Sequence, residues 1–251
     1  MALVNQETPV ERARGQRSAR AAGRPVGLSV TSLILLVLSF VSMMVSIYMI
    51  FIYAPTDATQ GNPQRIFYFH MPSAVIGLCA FGIIALGGIM YLWKKDERWD
   101  WVARAAAEVG VVFLTFTLLT GSIWGRTIWG TWWAWDARLT TTLILWFIYI
   151  GYIMLRGYMG HTFASARAGA VLAIIGVIDV PIVYESVNWW RTLHPQAVLP
   201  LGGSPQMPPQ MLLTLAVSSV AFILLFSFLM VQVYHLQKIQ TLAQRLRASL
   251  E

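Results

Sequence analysis

The chain has 251 residues, 57% of them apolar, with a mean hydropathy of +0.62 and a formal net charge of +7 at pH 7. That apolar share excludes an ordinary soluble domain and points to an all-α, polytopic membrane protein. The single cysteine, Cys79, excludes an intramolecular disulfide and a CxxC redox site.

Six apolar runs are long enough to cross roughly 30 Å of hydrocarbon. They fall at 28–53, 74–93, 102–123, 139–155, 168–187 and 211–233. Residues 1–27 form a basic tail expected to be disordered and cytoplasmic, 28–235 a six-helix membrane domain, and 236–251 a cytoplasmic C-terminal tail. The first run is expected to be retained: more than twenty residues precede it, and YAPTDATQG follows it where a cleavable signal would have small residues.

With the N-terminus inside, fourteen basic residues fall on cytoplasmic segments: Arg12, Arg14, Arg17, Arg20, Arg24, Lys94, Lys95, Arg98, Arg104, Arg156, Arg167, Lys238, Arg245 and Arg247. Four fall outside, namely Arg65, Arg126, Arg138 and Arg191. This asymmetry puts both termini in the cytoplasm and three loops, near 54–73, 124–138 and 186–210, on the outer face. The positive charge is then a membrane-topology signal meeting anionic lipid headgroups, and nucleic acid is not an expected partner. Cys79, within LCAFG of the second span, reads as a small buried hydrophobe.

The outer loops collect the unusual residues. RIFYFHMPSA places His70 at the outer edge of the second span, with Pro72 in what is expected to be a first helical turn. NWWRTLH, if helical, lies flat on the membrane with Trp190 and His194 on one face. Between them WGTWWAWDARLT places Trp129, Trp132, Trp133 and Asp136 at i, i+3, i+4 and i+7, one face of a helix, with Trp135 pointing elsewhere. Aromatic belts anchor many membrane proteins, so tryptophans alone are a weak signal. A platform of three indoles beside Asp136 and Arg138 is more specific.

His161 and His235 fall on the opposite side, leaving His70 and His194 as the outer imidazoles. Two neutral imidazoles can ligate haem iron from opposite faces while indoles pack on the porphyrin; alternatively each histidine meets a headgroup or a loop carbonyl. A structural zinc site wants four protein ligands, and the outer loops contain no cysteine. Within spans, Asp179 needs a partner or a water path and Pro181 is placed to bend the fifth helix. Glu185 is placed to meet Arg138 or Arg191, and Glu108 lies near the inner side of the third span. No Walker loop or activated nucleophile is present, so the chain reads as a passive component and not as an enzyme.

TGSIWGRTIWGTWWAWDARLT, residues 120–140, resembles the tryptophan-rich signature of the haem handling proteins of cytochrome c biogenesis and, within them, the six-span haem exporter protein C family. RIFYFHMPSA and NWWRTLHP resemble that family's two histidine segments, and the similarity runs from the first span to the last, leaving the arginine-rich tail uncovered. The resemblance implies non-covalent haem b ligated by His70 and His194 against Trp129, Trp132, Trp133, Trp135 and Asp136. It implies delivery to a periplasmic haem chaperone, a small single-span membrane protein and an ABC transporter (ATPase and membrane subunits) as partners, and an inner-membrane location with the site facing the periplasm. Guanidinium groups suit carboxylates, so Arg126, Arg138 or Arg191 is placed to pair with the haem propionates. The family usually carries Lys-Pro where this chain has Arg126-Thr127, and often Gln where it has Pro195; neither position is a proposed ligand. On this basis Asp136→Ala is expected to impair transfer or docking more than iron ligation. A transporter using Asp179, a haem-free assembly subunit and a cytochrome synthase are the competing functions.

Overall fold

The computed structural model describes residues 28–194 and 207–250. The basic tail, and with it the expectation of disorder there, lies outside these residues, as does Pro195. The described regular elements are helices, and six segments are long and apolar enough to cross a membrane: Val30–Tyr53, Asn62–Lys94, Glu97–Trp129, Ala137–Met159, Phe163–Trp189 and Pro209–Ala248.

Local chemistry sets most of their ends. Ser29 caps α1 (Val30–Tyr48), which runs on as a π turn, Met49–Tyr53. A 3-10 turn, Asn62–Ile66, leads directly into α2 (Phe67–Lys94), so this span starts earlier than its apolar run and Pro72 sits inside the helix instead of in its first turn. Proline lacks the N–H that would bond the Tyr68 carbonyl four residues back. The buried Ser218 hydroxyl donates to that carbonyl instead.

Asp96 caps α3 (Glu97–Trp129), Asp136 caps α4 (Ala137–Met159), and Thr162 caps α5 (Phe163–Gly176). The fifth span is two helices. α5 gives way to α6 (Asp179–Trp189) at Val177–Ile178, just before Pro181, and the Val177 carbonyl accepts from the Val180 N–H at 3.1 Å. Finally α7 (Pro209–Ala248) runs the full depth of the bundle.

Helices α2 and α3 form the central antiparallel pair, flanked by α4, α5 and α7, while α1 packs on α7 through the buried stripe Ser32, Ser39 and Ser46. In hydrocarbon, close backbone approach replaces the hydrophobic effect as the main attraction between helices, and small residues permit it. Gly110 shows this directly: a Cβ there would lie 2.4 Å from Tyr149 Oη and 2.7 Å from Ala80 Cβ. Tyr149 Oη uses that space to donate to the Gly77 carbonyl at 2.7 Å. Cys79 is exposed on the outer surface of the bundle, not buried, because neighbours such as Ala80 and Phe81 take the inward-facing positions.

The end of the bundle away from His70 departs from simple headgroup binding. Arg104 and Arg156 are 7% and 2% exposed. Arg156 Nη2 donates to both Asp100 oxygens at 2.5 Å, and Arg104 Nε lies 3.4 Å from Asp100 Oδ2. These two arginines therefore hold helices together; a headgroup role remains open only to the other basic residues at this end. Glu108 accepts from Gln237 Nε2 at 2.6 Å, and His161 Nδ1 lies 3.0 Å from Thr241 Oγ1. Burial, then the Arg104 and Arg156 guanidiniums, lower the His161 pKa below its ordinary 6.5.

Candidate functional site

The loops expected on the outer face converge. His70, the fourth residue of α2, and His194, in the loop after α6, lie with ring centres 6.4 Å apart and planes inclined by 33°. A metal–imidazole nitrogen bond is roughly 2 Å and that nitrogen lies about 1.1 Å from its ring centre, so an ion between two facing imidazoles separates the centres by roughly 6.3 Å. The observed spacing fits a single metal between the rings.

Each imidazole has an indole against it. Trp124 meets His70 edge-on at 5.8 Å, and Trp129 meets His194 edge-on at 6.3 Å. Trp124 is held in turn by Phe67 at 5.9 Å and by Gln60, whose Oε1 accepts from the indole N–H at 3.1 Å. Gln60 is placed by a tight turn in which Asp57 Oδ1 accepts from the N–H groups of Thr59 and Gln60 at 2.8 and 2.7 Å. His70 Nδ1 lies 3.1 Å from Thr120 Oγ1 of α3.

The tryptophan stretch is not one helical face. α3 ends at Trp129 because Gly130 adopts φ +76°, a left-handed conformation suited to glycine, and the Arg126 guanidinium donates to the Gly130 carbonyl. Residues 131–136 then form a non-helical crossing to α4, with Thr131 Oγ1 donating to the Trp133 carbonyl at 2.9 Å. Trp129 and Trp133 line the cavity that contains both histidines, while Trp132 and Trp135 are 60% and 77% exposed. The platform therefore separates into an inward pair and an outward pair.

Asp136 joins the loops. Its Oδ1 accepts from the Leu139 N–H at 2.8 Å, capping α4, and its Oδ2 accepts from Thr192 Oγ1 at 2.7 Å and from the Leu193 N–H at 3.2 Å. Thr192 Oγ1 also accepts from the His194 N–H at 3.0 Å. One carboxylate thus fixes the start of α4 and the backbone carrying the second histidine. Asp136 makes no ion pair with Arg138 among the described residues. The segment expected to be an interfacial helix is not one: α6 stops at Trp189, Trp190 is extended, and the Asp136 bonds hold the chain beyond it away from helical geometry.

Arg138 lines the cavity and donates through Nη2 to the Tyr184 carbonyl at 2.8 Å. Its Nε and Trp133 Nε1 are buried without a hydrogen-bond partner. Two donors left unmatched beside a cavity suit an acidic ligand group. Arg126 and Arg191 do not line this cavity, and Glu185 accepts from Asn188 at 2.7 Å, with no arginine ion pair among the described residues. The lower wall is apolar, formed by Met71, Ala74, Leu78, Leu114, Leu118 and Val183.

A family model described as heme exporter protein C matches residues 19–249 of this chain. The chain belongs to that family. It is 41% identical over 174 residues to the heme exporter protein C of Bradyrhizobium diazoefficiens, covering 69% of this chain and 66% of the relative. It is 35% identical over 193 residues to that of Haemophilus influenzae, covering 77% and 78%. With the Escherichia coli K12 protein of the same name it shares 41% identity over 142 residues, 57% and 58% of the two chains.

Sequence reasoning did not single out Trp124, Gln60 or Thr120 individually. Trp124 carried a signal, since it lies in the same tryptophan-rich stretch five residues before Trp129. Thr120 opens that stretch but its role, like that of Gln60, depends on a neighbour far along the chain, 50 and 64 positions away respectively.

Proposed function

We propose that the chain holds haem between His70 and His194 at the outer face of the membrane and presents it to a periplasmic haem chaperone during maturation of c-type cytochromes. The observation that carries this is the 6.4 Å pairing of the two imidazoles inside an apolar, indole-lined cavity. No cluster of three or more His, Cys, Asp or Glu occurs among the described residues. Two protein ligands suffice for an iron whose other four come from a porphyrin, whereas a bare structural zinc wants four.

His70 and His194 supply the axial nitrogens, Trp129 and Trp133 the apolar packing, and Arg138 with Trp133 Nε1 the donors for a propionate. Trp132 and Trp135, turned outward, form a surface for the incoming chaperone and the membrane interface. The iron centre contributes its affinity for imidazole; the protein contributes orientation and leaves energy input to an ABC transporter with its ATPase and membrane subunits, assisted by a small single-span protein. The inner membrane is the proposed location. Nine described basic residues (Lys94, Lys95, Arg98, Arg104, Arg156, Arg167, Lys238, Arg245, Arg247) lie at the end opposite the histidines, against Arg65, Arg126, Arg138 and Arg191 at the histidine end, which supports a periplasmic site even with Arg104 and Arg156 set aside.

The test is transfer. Haem loaded on the purified chain is expected to pass to the purified chaperone, and His70→Ala and His194→Ala are each expected to abolish that transfer. Haem flux through liposomes containing only this chain would support a transporter instead.

A further inference from the structure

Resting on His70 as an axial ligand, we propose that Thr120 is a positioning residue that holds His70 in the Nδ1-protonated tautomer, leaving the Nε2 lone pair for iron. The hydroxyl has one proton, and Thr120 Oγ1 donates it back to the Phe116 carbonyl at 2.7 Å, with the Thr117 carbonyl a second acceptor at 3.2 Å. Toward His70 Nδ1, 3.1 Å away, the same oxygen can only accept. The ring nitrogen facing α3 is therefore the N–H.

Gly121 allows the approach. A Cβ there would lie 3.0 Å from His70 Cε1 and 3.6 Å from Nδ1, so the imidazole lies against bare helix surface. A neutral imidazole with its proton on Nδ1 has its lone pair on Nε2, and ligation requires that lone pair. An acceptor behind the ligand also makes the ligating nitrogen more basic, which favours ferric over ferrous iron and lowers the reduction potential.

The first readout needs no haem. The chain has four histidines, so 15N-histidine labelling gives four ring systems, and His70 is assigned by its loss in His70→Ala. Wild type is expected to show His70 protonated at Nδ1; Thr120→Val, which keeps the shape and removes the acceptor, is expected to move population to the Nε2–H tautomer, and Thr120→Ser to restore it. In the haem-loaded protein, Thr120→Val is expected to raise the midpoint potential and weaken haem retention by about 10- to 100-fold, with Thr120→Ser close to wild type. Thr120→Ala serves if the valine variant fails to fold. An Nε2–H tautomer in wild type, or an unchanged tautomer and potential in the hydroxyl-free variant, overturns the proposal. If haem does not bind through His70, the potential shift is absent in every variant, but the haem-free spectra still decide what Thr120 does.

Discussion

Asp136→Ala separates iron ligation from partner docking, because the structure ties this carboxylate to the backbone of His194. Three donors would lose their acceptor: the Leu139 N–H, the Thr192 hydroxyl and the Leu193 N–H. Loss of the α4 cap costs about 1 kcal/mol in helix stability. Hydrogen bonds to a charged group contribute about 1.5–3 kcal/mol each when buried, and partial exposure here reduces the two loop bonds together to roughly 2–3 kcal/mol. That energy no longer pre-organises the loop. Since 1.4 kcal/mol is tenfold in binding, haem affinity should fall by roughly 30- to 140-fold. The assay is titration of haem into the purified, detergent-solubilised chain, followed by Soret absorbance, with loss to apomyoglobin as the off-rate. Thr192→Val removes one of the same contacts and the acceptor for the His194 N–H, so the double variant should lose much less than the sum of the singles. Wild-type haem affinity in Asp136→Ala, with transfer to the chaperone impaired, would refute the clasp and return Asp136 to a docking role.

Gly121→Ala places a methyl 3.0 Å from His70 Cε1 and should convert much of the bound iron to a five-coordinate form, visible in the absorption spectrum, while melting close to wild type. Asp100→Ala leaves the buried Arg104 and Arg156 guanidiniums without their carboxylate and should destabilise the protein by about 3–5 kcal/mol, read as a lower melting temperature with no change in the spectrum of the haem-loaded folded fraction. His161 has a folded pKa below its unfolded value, so the unfolded chain binds more protons; its contribution to stability is constant above pH 6.5 and declines as pH falls through that value toward the folded pKa. Thermal melts between pH 8 and pH 5 should therefore show a smaller acid-side loss in His161→Gln than in wild type, and equal losses would count against the assignment.

The six spans were legible because hydrocarbon thickness demands long apolar runs, and the histidine pair because the same topology sorts His70 and His194 to one face and His161 and His235 to the other. The ends of the helices were less so. Apolarity marks only the portion in hydrocarbon, whereas Asp96, Asn62 and the polar turns beyond residue 233 extend helices into the interface by capping and local propensity. The spacing of Trp129, Trp132, Trp133 and Asp136 matched a helix, yet Gly130 within it allowed a left-handed turn, and Asp136 is itself a strong helix-start residue that competes with helix continuation. Arg104 and Arg156 were read as headgroup cations because a charge count contains no burial; only the fold reveals Asp100 between them. Thr120 stood at the start of the signature stretch, but its role was not legible for the same reason, being set by a residue on another helix.

The most direct measurement is the oxidised and reduced visible spectrum, with low-temperature EPR, of the purified haem-loaded chain beside His70→Ala and His194→Ala. Ligation by both residues predicts a six-coordinate low-spin centre in wild type that becomes five-coordinate or is lost in each variant. An unchanged low-spin spectrum in either variant, or a wild-type chain that takes up no haem, contradicts it.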